Sequence, residues 1–186
     1  MEIETLKIPE VKVLKVQKYF DQRGYFAETY NKNYLQSFGI EFNGIQDNQS
    51  LSLEKGTLRG LHFQSPPYVQ KKIVRCIKGS ILDVAVDFRL GSKSFGKHIK
   101  RVLSEDNFEQ IFIPDGFAHG FLTLEQNTVV SYKVDNYYSA ACDGGILWND
   151  EKLDIDWGMK SEEIIVSDKD TLLLKMNEQE SPFKNE

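Results

Sequence analysis

Apolar residues along this chain come in short bursts, each closed by Gly, Pro or an Asn/Asp cluster. "VKVLKVQKYF" (11–20) leads through "DQRG" (21–24) to "YFAETY" (25–30), which predicts a hairpin turned at Gly24. "NKNYLQSFGI" (31–40) instead places Tyr34, Leu35 and Phe38 at helical intervals and predicts a short helix ending before Gly39. Strand-like runs resume at 71–92, 98–104, 109–124 and 128–139, rich in β-branched and aromatic residues. Residues 159–176 fit an extended segment and a helix, and 177–186 reads as a loose tail. Many short strands at close spacing predict an antiparallel sandwich or barrel, not a βαβ protein. With no internal repeat or linker, a single domain over 1–186 is expected.

The alternation inside these strands is unusual. In "ILDVAVDF", Asp83 and Asp87 share parity with Ala85, opposite Leu82, Val84, Val86 and Phe88. Tyr132 shares parity with Val130 and Val134, and His119 with Phe117 and Phe121. Polar groups on apolar faces predict a partly polar interior, as a ligand-holding cavity has.

Composition narrows the class. The 186 residues are 40% hydrophobic and 27% charged, enough apolar material for a real core. A formal charge of -5, from 23 Lys+Arg against 28 Asp+Glu, argues against bulk nucleic-acid binding. A few converging cations can still hold a phosphate. "MEIETLKIPE" lacks the basic start and apolar stretch of a signal peptide, and no apolar run is long enough to span a membrane. Cys76 and Cys142 have no CxxC spacing and read as two buried small hydrophobes in a reduced, cytoplasmic protein.

"GTLRGLHFQ" (56–64) sets Arg59 and His62 inside an otherwise apolar strand. Strict alternation would put residues three apart on opposite faces, but Gly60 between them predicts a bulge that resets parity. The stretch Gly56 to His62 and the P-x-G-x-x-H of "PDGFAH" (114–119) have the spacings of the two cupin motifs, so the chain resembles that superfamily here. Metal-binding cupins continue His-x-His with a Glu soon after. Here Gln64 follows, and no Glu occurs from 65 through 78. Two imidazoles alone make a weak site, so no metal is expected. Taken singly, His62 and His119 are ordinary structural imidazoles.

Longer strings change that reading. "FDQRGYFAETY" (20–30), "QDNQS" (46–50), "GTLRGLHFQ" (56–64), "VQKKIVRCIKGSILDVAVDFR" (69–89), "IPDGFAHGFLTL" (113–124), "YKVDNYYS" (132–139), "WNDEKLDIDW" (148–157) and "SDKD" (167–170) together resemble the dTDP-4-dehydrorhamnose 3,5-epimerase family, nearly end to end and in order. The resemblance implies an all-β jelly-roll (cupin) barrel with a few short peripheral helices. It implies a homodimer with exchanged N-terminal strands, and a cofactor-free inversion of C3 and C5 on a dTDP-linked 4-keto-6-deoxyhexose.

It also implies roles. His62 is the base, Asp170 its partner, Tyr132 the acid on the opposite face, and Lys72 and Arg59 the oxyanion stabilisers. The family's binding positions fall on Arg23, Phe26, Glu28, Gln46, Asp47, Asn48, His119 and Lys169, with Arg23 expected at the diphosphate, supplied by a neighbouring chain. Tyr138 matches an aromatic stacked on thymine, and Asp143 stands where the family often has a longer acid. Other readings stay open. One is a relative inverting only C3 or only C5, or using another nucleotide sugar. A second is a non-catalytic sugar-nucleotide-binding cupin. A metal-dependent dioxygenase is disfavoured by Gln64.

Overall fold

Ser80–Asp87 shows how the chain builds its layers. Ile81 and Ala85 point into one apolar cluster while Val84 and Val86 point into another, so both faces of the strand are covered. In the computed structural model, which describes residues 1–184, this strand is second in a five-stranded sheet. The order there is His98–Ser104, Ser80–Asp87, Phe117–Thr123, Leu58–Gln64, Asp143–Gly145. A six-stranded sheet runs Glu2–Thr5, Lys12–Lys15, Glu109–Ile113, Lys72–Lys78, Thr128–Val134, Gln46–Ser52. The pairings within both sheets are antiparallel.

The inner cluster joins Val74, Ile111, Ile113 and Val130 of one sheet to Ile81, Ala85, Phe117 and Phe121 of the other, so the sheets face each other as a jelly roll. Outside the five-stranded sheet, Leu58, Leu61, Phe63, Val84 and Val86 are covered by Leu153 and Trp157 from the C-terminal part. Outside the six-stranded sheet, Leu14, Ile73 and Phe112 are covered by Leu35, Ile40 and Phe42. Burying each such side chain stabilises the fold by roughly 1.5–3 kcal/mol.

The helix forms at Lys32–Ser37, where the Asn31 side chain accepts from the Tyr34 N–H at 3.1 Å. Of the three helically spaced apolar residues only Leu35 is buried, and Phe38 is exposed. The chain leaves the helix through Gly39 at φ 73°. The hairpin is narrower than expected. Tyr19–Asp21 pairs with Gly24–Phe26 around Gln22 and Arg23, whereas Lys12–Lys15 belongs to the six-stranded sheet. Tyr19, Phe20, Tyr25 and Phe26 on this hairpin are exposed.

Three expectations need correcting. The tail is not loose through residue 184: Phe183 is buried on Phe63 and Phe88, and Phe183–Lys184 pairs with Arg89–Leu90. An aromatic supplied to an uncovered apolar face outweighs the entropy of ordering a short polar segment; 185–186 lie outside the described residues. Cys142 is only half-buried, unlike Cys76, because its segment runs along the surface beside Pro66. Asp87, though fully buried, is not part of a polar cavity. It binds Arg89, Ser92 and Ser94 in a network of its own.

Candidate active site

The bulge predicted at Gly60 is present. His62 pairs with His119 and Arg59 with Phe121, so three steps on one strand oppose two on the other. Leu58, Leu61 and Phe63 thereby share the outer cluster, while Arg59 and His62 both line one cavity of about 500 Å³ between the sheets. Gly60 permits this at φ 131°, with no Cβ to collide with the opposite backbone.

Around the cavity stand Lys72, His119, Tyr132 and Asp170. His62 Nε2 lies 2.7 Å from Asp170 Oδ1, and the Gly60 N–H donates to Asp170 Oδ2 at 3.2 Å. Asp170 is placed by the helix Asp168–Thr171, capped by Ser167, whose hydroxyl accepts from the Asp170 N–H at 3.2 Å. Burial pushes the Asp170 carboxyl up, but the bond from His62, the charge there and the Gly60 N–H outweigh it and leave it below the ordinary range. With Asp170 a carboxylate, the neutral form of His62 is the tautomer with its hydrogen on Nε2 and its lone pair on Nδ1.

Tyr132 comes from Thr128–Val134, and burial pushes its phenol up, only partly offset by Arg59. Lys72 comes from the start of Lys72–Lys78, and burial lowers its ammonium to about 8 against the opposing pull of Asp83 and Asp143. Arg59 is tied to Ser52 Oγ and the Leu51 carbonyl, both at 3.2 Å. His119 Nε2 sits 2.8 Å from Asp83 Oδ2, and burial pulls the imidazole's pKa down.

An adjoining hollow of about 440 Å³ shares His62, Lys72, Tyr132 and Lys169 with the first and adds Gln46, Asn48, Tyr138 and Asp143. There Asp143 Oδ2 accepts from Lys169 Nζ at 2.5 Å and from the Tyr138 hydroxyl at 3.1 Å. Glu28 and Asp47 line a third hollow on the other side of Tyr132. Asp47 alternates away from Gln46 and Asn48 and pairs with Lys133 at 2.6 Å. Arg23 and Phe26 lie on the exposed hairpin, where Arg23 pairs with Asp21, away from these hollows.

Sequence reasoning missed three residues. Ser167 is legible as the first residue of an S-x-x-D cap. Ser50 lines the cavity with a buried hydroxyl that has no partner among the described residues, and Asp83 holds His119. Parity marked Asp83 but gave it no role. Gln64 donates to the carbonyls of Tyr68 and Tyr137 and accepts from the Ser139 N–H, so it clasps a loop where metal-binding cupins carry a ligand.

A carboxylate-tethered imidazole, a phenol that keeps its proton and an ammonium share one hollow of a jelly roll. That combination belongs to a cupin-type isomerase acting beside a carbonyl. The chain belongs to the dTDP-4-dehydrorhamnose 3,5-epimerase family, whose sequence model matches residues 5–178. It is 44% identical over 179 residues to the dTDP-4-dehydrorhamnose 3,5-epimerase of Escherichia coli K12, covering 96% of each chain. The crystal structure of the Bacillus anthracis enzyme, with TDP and PPi bound, matches at TM-score 0.89 and 45% identity, over 92% of this chain and 97% of that one. The Legionella pneumophila enzyme, in complex with dTDP-4-keto-L-rhamnose, matches at TM-score 0.89 and 40% identity, over 95% and 93%.

Proposed function

We propose that this 3,5-epimerase binds a dTDP-linked 4-keto-6-deoxyhexose with its ring in the main cavity, His62 acting as base and Tyr132 as acid. Both inverted carbons flank a ketone. Losing a proton there puts negative charge on the ketone oxygen, and regaining one from the opposite face inverts the centre. His62 takes the proton at Nδ1, and Asp170 stabilises the resulting imidazolium. Tyr132 holds its proton until the carbanion takes it. Lys72 and Arg59 meet the oxyanion. The observation that carries this reading is that the Asp170-tethered His62 and Tyr132 open onto the same hollow.

The adjoining hollow suits the nucleotide, with Tyr138 against the thymine and Lys169 near the diphosphate. The TDP and dTDP-sugar in the two bacterial relatives support a ligand of this kind. His119 lines the sugar's cavity and is assigned to that end. For Arg23 and Phe26 we propose a homodimer: the exposed aromatic hairpin of one copy reaches the other's site, carrying Arg23 to the diphosphate. Two unpaired thiols fit a reducing cytoplasm.

Incubation with dTDP-4-keto-6-deoxyglucose in D₂O, followed by NMR, tests this. Deuterium at both C3 and C5 is expected, and at one only if the chain inverts a single centre. His62→Ala should abolish exchange and leave dTDP binding nearly intact; exchange that survives overturns the assignment, whereas a non-catalytic binding cupin would show no exchange even in the native protein.

A further inference from the structure

Asp83 is a carboxylate where the neighbouring interior positions of its strand are Ile81 and Ala85. It is fully buried. Its Oδ2 faces His119 Nε2 at 2.8 Å, and its Oδ1 is buried with no hydrogen-bond partner among the described residues. A half-satisfied buried carboxylate is costly, and a neutral amide could hold the imidazole more cheaply. What an amide cannot supply is negative charge behind the cavity wall.

One buried cation needs it. Lys72 lines the same cavity as His119, and burial disfavours its ammonium. The groups that face this region are Arg59 and His62 from Leu58–Gln64, His119 from Phe117–Thr123, and Tyr132 from Thr128–Val134. Lys169 and Asp170 come from the capped helix, and Asp143 from Asp143–Gly145. Among the acids, Asp170 is engaged by His62 and Gly60, and Asp143 by Lys169 and Tyr138. Of these three, among the described residues, Asp83 alone keeps a fully buried carboxylate oxygen without a partner.

We propose that Asp83 is a positioning residue that never touches substrate: its charge keeps Lys72 an ammonium, and its hydrogen bond fixes the ring of His119. The inference rests on reading Lys72 as the cation at the ketone oxygen. A carboxylate lying behind His119 supplies the field without competing for the developing oxyanion. Neutral His119, with its hydrogen held on Nε2 by Asp83, then presents Nδ1 as an acceptor.

The test is an NMR titration of lysine Nζ, labelled with the heavy nitrogen isotope, in substrate-free protein. The Lys72 signal is assigned by its loss in Lys72→Arg. The native Lys72 is expected to titrate near pH 8. Asp83→Asn should lower this by a unit or more, roughly tenfold in proton affinity. The alkaline limb of deuterium exchange should shift with it, while dTDP affinity stays unchanged. An unchanged Lys72 titration in Asp83→Asn overturns the proposal, even if the variant is slow. Should Asp83→Asn fail to fold, Asp143→Asn decides: Lys72 still titrating near its native value upholds Asp83 as the counter-charge, and a fall of a unit or more overturns it. Because the titration is read without substrate, it can fail while exchange at C3 and C5 proceeds. Failure of the Lys72 reading shows separately, as exchange that survives Lys72→Met.

Discussion

Gly60 and Gly120 touch backbone to backbone across two paired strands: a Cβ added at Gly60 would lie 2.5 Å from the Gly120 Cα and 2.8 Å from the His119 carbonyl. That contact lets the bulge close, and the bulge turns Arg59 into the cavity beside His62. Gly60→Ala adds both the clash and a side chain at φ 131°. We expect it to cost on the order of 3 kcal/mol in urea unfolding, with folded protein losing exchange activity because Arg59 and His62 no longer share a hollow.

Asp170→Asn removes the charge beside His62 while keeping its shape. Deuterium exchange should fall by about 10³–10⁴-fold with dTDP affinity retained, as for other His–Asp pairs whose acid is neutralised. The stability effect has a defined sign. The Asp170 carboxyl is depressed in the folded protein, so its ionisation stabilises the fold above the unfolded carboxylate value near 4. That contribution disappears as pH falls through the lower folded value. The stability gap between native protein and Asp170→Asn, from urea midpoints, should be open near neutrality and close in acid. A gap that persists there contradicts the ionic origin.

Tyr132→Phe separates the two halves of the reaction. The base still removes protons, but the acid on the far face is gone, costing inversion about 10²–10⁴-fold. The expected signature by NMR is deuterium entering without a matching yield of inverted product. Equal loss of exchange and inversion would mean that Tyr132 positions the sugar instead.

The hairpin makes the dimer testable. Arg23 in the turn and Phe26 on the second strand of the hairpin are exposed, so they serve a neighbour's cavity or none. Arg23→Ala and His62→Ala should each be impaired alone. Unfolded and refolded together, they should regain activity, because a mixed dimer contains one cavity with His62 and an incoming Arg23. No recovery in verified mixed dimers rules out the exchange.

Much of this was legible in the chain. Alternation in residues 81–86 set which side chains share a face, the Tyr34–Leu35–Phe38 spacing marked a helix, and a lone Gly between Arg59 and His62 announced the bulge. The family resemblance points to His62, Lys72, Tyr132 and Asp170, and these line one cavity. Glu28 and Asp47, expected beside Gln46 and Asn48 at the nucleotide end, line another hollow, and for Asp47 the reason is that consecutive residues of a strand face opposite ways. The docking of Phe183 left no local trace, because its receiving face is assembled from Phe63 and Phe88 far upstream.

By itself the sequence determined the periods of its strands, the places they break and the chemical groups available, all properties of neighbouring residues. Only tertiary structure decided that the bond between His62 and Asp170 exists, that Asp83 keeps a bare oxygen behind His119, and that the C-terminal segment seals the outer sheet. Those outcomes depend on how surfaces distant in sequence fit together, and a two-residue period carries no information about distance across a core.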